Sequence, residues 1–129
     1  MNFEAVTKMI LDQFKKQNVR CAIIGGFALH ALGLERATND IDFLVHVEDV
    51  SKIKSILNGL GYEITHESKD VVNFWGKLKE LGGIDFIIAH RKYALAMLDK
   101  TQTHDILKGQ TVQVVRPEDV IGLKLQAYS

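Results

Sequence analysis

This sequence of 129 residues has a single cysteine, no excess charge of either sign and no long apolar run. A lone Cys21 has no partner for an internal disulfide, and its setting, VRCAII over residues 19–24, reads as the start of a buried strand. It is expected to be a small core residue in a chain kept in a reducing cytoplasm. No apolar stretch approaches the ~18 residues of a membrane span, and the N-terminus lacks the charged-then-apolar pattern of a signal peptide. A membrane partner is excluded and a cytoplasmic protein expected. Lys plus Arg and Asp plus Glu are each 16, for a formal net charge of zero. Proteins that hold extended DNA or RNA through its phosphates carry a basic excess or stripe, so the expected partner is a small nucleotide or a short local contact. His30, His46, His66, His90 and His104 show no ligand spacing, which argues against a zinc site. Repeats, low-complexity tracts and linkers are absent too.

What is present is 47% hydrophobic and 25% charged, the composition of an ordinary globular chain with one core. A single domain over residues 1–129 is expected. Phe3, Val6, Met9, Ile10 and Phe14 recur at helical spacing. A buried strand over 21–24 follows, cut by Gly25-Gly26, then a short helix over 27–32 that Gly33 ends. The pattern next predicts a strand over 41–47 and an amphipathic helix marked by Val50, Ile53, Ile56, Leu57 and Leu60. Strands follow over 62–65, 71–78 and 84–89, a short helix over 93–98, and a hairpin of 105–107 with 111–115 around Gly109. Pro117 starts a last helix, with Glu118 and Asp119 placed well for its dipole. The order predicts an α+β (α/β-like) fold, a mixed β-sheet flanked by helices.

The chemistry concentrates in NDIDFLV, residues 39–45. Side chains at i and i+2 of a strand share a face, with Cα atoms roughly 6.5 Å apart, so Asp40 and Asp42 point one way and Ile41 and Phe43 the other. Two carboxylates held together repel, and each favours a proton or a cation. Mg²⁺ (or Mn²⁺) resolves the conflict, because such hard ions take oxygen ligands and keep substrate phosphates in their shell. Asp85, in GGIDFIIA over 82–89, is again one acid embedded in an apolar strand. If the two strands are neighbours, about 4.8 Å apart, Asp85 joins the pair. Three such acids suit one or two metal ions roughly 3.5–4 Å apart, a geometry used for in-line displacement at phosphorus. Gly25-Gly26 at a strand-to-helix turn lets backbone N–H groups approach an anion. Each element has a bland reading: a solvated strand end, a plain turn, a salt-bridged edge residue. Their order and apolar settings together favour a site.

On these residues the sequence resembles the polymerase-beta-type nucleotidyltransferases. Ile24-Gly25-Gly26-Phe27-Ala28 followed by Gly33, Arg36, Thr38 and Asp40-Ile41-Asp42 is similar to the family signature. The form Gly-x-x-Arg-x-Thr-x-Asp-x-Asp comes nearest to the abortive-infection toxin group and its uncharacterised relatives. Asp85 stands where the family places its third acid, and residues 116–124, RPEDVIGLK, resemble a downstream segment ending in Lys124. The resemblance implies the nucleotidyltransferase fold, and transfer of a nucleoside monophosphate from an NTP to an acceptor with release of pyrophosphate. By position, Gly25 and Gly26 would contact the triphosphate and Asp40 and Asp42 would carry Mg²⁺. Asp85 would either help to hold metal or act as base toward the acceptor hydroxyl.

Arg36 and Thr38 are candidates for phosphate contact, with neutralisation of Asp40 or Asp42 as the rival role for Arg36. Lys124 is a candidate for the triphosphate, against the plainer role of a solvated helix face. Phe74 and Trp75 read as strand packing, with Trp75 kept as a wall of an acceptor groove should it prove exposed. Relatives continue past the lysine helix with further helices, which implies that these are dispensable, come from a protein partner or a homo-oligomer, or leave the site incomplete. The alternative to an active enzyme is therefore a non-catalytic nucleotide- or partner-binding module, for example one half of a toxin–antitoxin pair. A third reading is an enzyme that adenylylates small molecules such as antibiotics. The acceptor is not identified by any residue pattern.

Overall fold

The structure is a computed structural model and describes residues 2–24, 40–107, 109–116 and 118–119. The candidate residues Gly25, Gly26, Arg36, Thr38 and Lys124, and the helix expected over 27–32, lie outside the described residues. Of the helix expected from Pro117, only Glu118 and Asp119 fall within them.

Helix α1 (Phe3–Lys16) begins where the Asn2 side chain accepts a hydrogen bond from the Ala5 amide at 3.0 Å. Glu4 sits in its first turn and Lys15 and Lys16 in its last, as the helix dipole favours. Strand β1 (Cys21–Ile24) leads to β2 (Asp40–His46), then a 3₁₀ turn (Val47–Asp49) and helix α2 (Val50–Gly59). Strands β3 (Tyr62–Glu67), β4 (Val71–Gly76) and β5 (Gly83–Ala89) follow, then α3 (Lys92–Asp99), β6 (Gln102–Leu107) and β7 (Gln110–Val114).

The strands form one seven-stranded mixed sheet in the order β3-β4-β5-β2-β1-β7-β6. The β2–β5 and β1–β7 pairs are parallel, whereas β1–β2, β3–β4, β4–β5 and β6–β7 are antiparallel. The expected mixed sheet with helices on it is what forms. Three boundaries differ from the sequence pattern by two residues or more. β3 runs on to Glu67 rather than 65. β4 stops at Gly76 rather than 78, because the Gly76 amide donates to the Gly82 carbonyl at 2.9 Å and closes a loop around the 3₁₀ turn Lys79–Leu81. β6 begins at 102 rather than 105. Its first residues sit on the sheet edge and carry polar side chains on both faces, so no alternation marks them.

Period two divides the sheet into two faces. Ile23, Ile41, Phe43, Val45, Val72, Phe74, Ile84, Phe86 and Ile88 point to one side, and α1 (Val6, Ile10, Phe14) and α2 (Ile53, Ile56, Leu57) seal it. At its centre Phe86 packs on Phe14, Phe43 and Phe74, with ring centroids 5.4–6.0 Å apart. Cys21 borders this core as expected, and burial pushes its thiol up to about 12. On the opposite face, Ala22, Ile24, Leu44 and Ala89 pack under Ala94 and Met97 of α3. That cover lies over the C-terminal half of β2. Asp40 and Asp42 lie in the other half of the strand, on the same face as Leu44.

A clamp ties the start of β1 to the turn after β2. The Asp49 carboxylate accepts from the Arg20 backbone amide at 2.9 Å and from its guanidinium at 3.0 and 3.2 Å. Asp49 is buried, which by itself raises a carboxyl pKa, but the Arg20 hydrogen bonds and charge outweigh this and hold it below the ordinary value. Among the described residues no helix is long and apolar enough to cross a membrane.

Candidate functional site

Asp40 and Asp42 open β2, where the strand pattern alternates half-buried acids with the fully buried Ile41 and Phe43. Apolar anchors on alternate positions hold the strand in register, since a one-residue slip would bury the acids and expose the core. The parallel pairing with β5 sets Asp42 opposite Asp85 and Asp40 opposite Gly83. On the far side of β5, Asn73 of β4 is the register partner of Asp85 and Trp75 that of Gly83. On the other side of β2, Ile24, the last residue of β1, pairs with Asp42. All three candidate acids are thus on one sheet face, on adjacent central strands.

Burial pushes the Asp85 carboxyl above its ordinary value, and the charge of Asp40 adds to that. Hydrogen bonds from Asn73, whose Nδ2 donates to Asp85 Oδ1 at 2.5 Å, and with the Asp42 carboxyl oppose the shift. A carboxyl with raised proton affinity, oriented by an amide and touching a second carboxyl, is built to hold or accept a proton. Asn73 was missed from sequence. Its signal was a polar residue inside the apolar run VVNFWG, on the face that carries Trp75.

Gly83, which falls just outside the strand expected over 84–89, opens β5 and floors the candidate site. A Cβ placed there would collide with Asp40 Oδ1 and lie 2.7 and 2.8 Å from the Cζ3 and Cε3 atoms of Trp75. The carboxylate and the indole therefore lean in over the bare glycine from both sides. The two aromatic neighbours of β4 part company: Phe74 is 3% exposed in the core, whereas Trp75 is 49% exposed beside the acids.

Residues 2–120 match the model of a family described as "uncharacterised nucleotidyltransferase". The chain belongs to that family. The match does not extend to the toxin group suggested by the Gly33–Asp42 spacing. No curated protein matches the chain. Among solved structures, the antibiotic-resistance factor ANT(2″)-Ia in complex with adenylyl-2″-tobramycin superposes with a TM-score of 0.72 at 16% identity, over 98% of this chain and 76% of that one. The lincosamide antibiotic adenylyltransferase LnuA, lincomycin-bound, gives 0.68 at 18% identity, over 92% and 83%. A putative nucleotidyltransferase from Thermotoga maritima gives 0.70 at 14% identity, over 96% and 83%. At these identities the likeness establishes the nucleotidyltransferase fold.

The donor chemistry fits a hard divalent cation, since the side chains offered are carboxylates on neighbouring register positions. Among the described residues no group of three or more His, Cys, Asp or Glu side chains forms a ready metal cluster. Mg²⁺ is an ion commonly held by one or two carboxylates, with substrate phosphates completing its shell.

Proposed function

We propose that the protein is a Mg²⁺-dependent nucleotidyltransferase that moves a nucleoside monophosphate from an NTP to an acceptor hydroxyl and releases pyrophosphate. The observation that carries this reading is the register of β2 with β5, in which Asp42 lies opposite Asp85 while Asp40 is two residues away on the same face. Asp40 and Asp42 hold the divalent cation. When bound there, such a cation would neutralise charge on the substrate phosphates. Gly25 and Gly26 take the triphosphate through backbone N–H groups, as the resemblance implies, with Arg36, Thr38 and Lys124 as further phosphate contacts. Asp85, held by Asn73 and opposite Asp42 in the register, takes the proton from the attacking hydroxyl. A cytoplasmic setting, with its nucleotide pool, goes with this reading.

The test separates the roles. Asp42→Asn removes a charged metal ligand and is expected to abolish the NTP-dependent, Mg²⁺-dependent rise in melting temperature that binding to the folded state produces. Asp85→Asn is expected to keep that rise while turnover falls by roughly two to four orders of magnitude, the contribution of general acid–base catalysis. A wild-type protein whose melting temperature ignores every NTP with and without Mg²⁺ would overturn the enzyme and favour the partner-binding module.

A further inference from the structure

Trp75 has no task in the reaction so far described, yet its position ties it to one end of the displacement. In-line transfer puts the attacking hydroxyl and the departing pyrophosphate on opposite sides of the α-phosphorus. With Gly25 and Gly26 holding the triphosphate, as proposed above, the strand order separates the two sides. β1, from which the chain runs into the glycine pair, lies on one side of β2, and β5 and then β4 lie on the other. With the leaving pyrophosphate on the β1 side, the acceptor must approach over β5 and β4. There it meets Asp85, then Asn73 and the indole of Trp75.

Two further observations make Trp75 a contact surface rather than packing. It is 49% exposed, while its strand neighbour Phe74 is buried. Its six-membered ring also leans over Gly83, at a spot where any Cβ would push it away. From this, and resting on the nucleotidyltransferase reading above, we infer that Trp75 is the acceptor-side stacking residue, and that the acceptor carries a ring, with a face able to lie on the indole, next to its reactive hydroxyl. Asp85 and Trp75 are diagonal neighbours across the β4–β5 pair, a separation of roughly 7–8 Å. That span places a hydroxyl at the carboxyl while the ring bearing it covers the indole. The face of a saturated sugar ring and the face of a nucleobase both satisfy this chemistry.

Trp75 is the only tryptophan in the chain, so intrinsic fluorescence reports this position alone. Methyl glucoside and adenosine are titrated separately into the 129-residue protein holding Mg²⁺ and a non-hydrolysable NTP analogue. One of the two probes is expected to change the emission saturably, and which one does so distinguishes a sugar from a nucleoside acceptor. In calorimetric titrations of the same probe, Trp75→Ala is expected to weaken binding about tenfold or more and Trp75→Phe to restore part of it, the scale of one lost stack. Neither variant is expected to change the melting-temperature rise given by the NTP analogue with Mg²⁺. Emission indifferent to both probes overturns the assignment. So does a Trp75→Ala variant whose NTP-dependent rise is lost, which would move the indole to the nucleotide side. Loss of that rise in the wild-type protein sinks instead the nucleotidyltransferase reading on which the assignment rests.

Discussion

Replacing Gly83 by alanine tests the floor of the site with a single methyl group. The new Cβ would stand 2.7 and 2.8 Å from two Trp75 ring carbons and closer still to Asp40 Oδ1. Carbon atoms settle about 3.5–4.0 Å apart, so the indole must retreat by roughly 1 Å and the carboxylate must move as well. The two displacements differ in cost. Trp75 is half-exposed and can swing toward solvent, which keeps the loss of stability near the low end of overpacking, about 1 kcal/mol. In the proposed function Asp40 belongs to the reacting geometry, where a misplacement of ~1 Å can lower turnover about 100-fold. Urea denaturation gives the first quantity, tryptophan emission the movement of Trp75, and pyrophosphate release the second quantity. The expected result is a nearly normal midpoint, a red-shifted emission and a rate down by about two orders of magnitude. Unchanged emission together with an unchanged rate would refute the claim that Gly83 seats both groups. A collapse in stability equal to the loss in rate would reduce it to a packing position.

Two other outcomes follow from the fold. Phe86 is 1% exposed and touches Phe14, Phe43 and Phe74, so Phe86→Ala is expected to cost about 3–5 kcal/mol, read as a lower urea midpoint with little change in slope. The Arg20–Asp49 clamp carries a pH signature. Asp49 has its folded pKa lowered, so its contribution is present above the ordinary carboxylate range and is lost as pH falls through the folded value. The stability gap between wild type and Asp49→Asn is therefore expected to be constant above about pH 5 and to close below it, and an equal gap at about pH 3 and pH 7 would contradict the clamp.

Much of this arrangement could be read along the chain. Alternation in β2 assigned Ile41 and Phe43 to the core and left Asp40 and Asp42 together on the other face, because the strand period is a local property of the backbone. The helical stripes of α1 and α2, the mixed sheet and the apolar setting of Asp85 were legible for the same reason. Glycine signals located the turns but not the work of Gly83, whose bare face matters only because Trp75 and Asp40 arrive from two other strands.

Strand neighbours are chosen by hydrogen bonds between segments far apart in sequence, which no local pattern encodes. The parallel pairing that sets Asp85 against Asp42 was a condition when only residues were available, and folding supplied it. Asn73 escaped notice because its partner lies on the next strand, and the differing exposure of Phe74 and Trp75 follows from which face α1 and α2 cover. Periodicity thus decides the face on which each side chain stands. Only long-range packing decides which side chains stand next to each other, and the proposed chemistry depends on that adjacency.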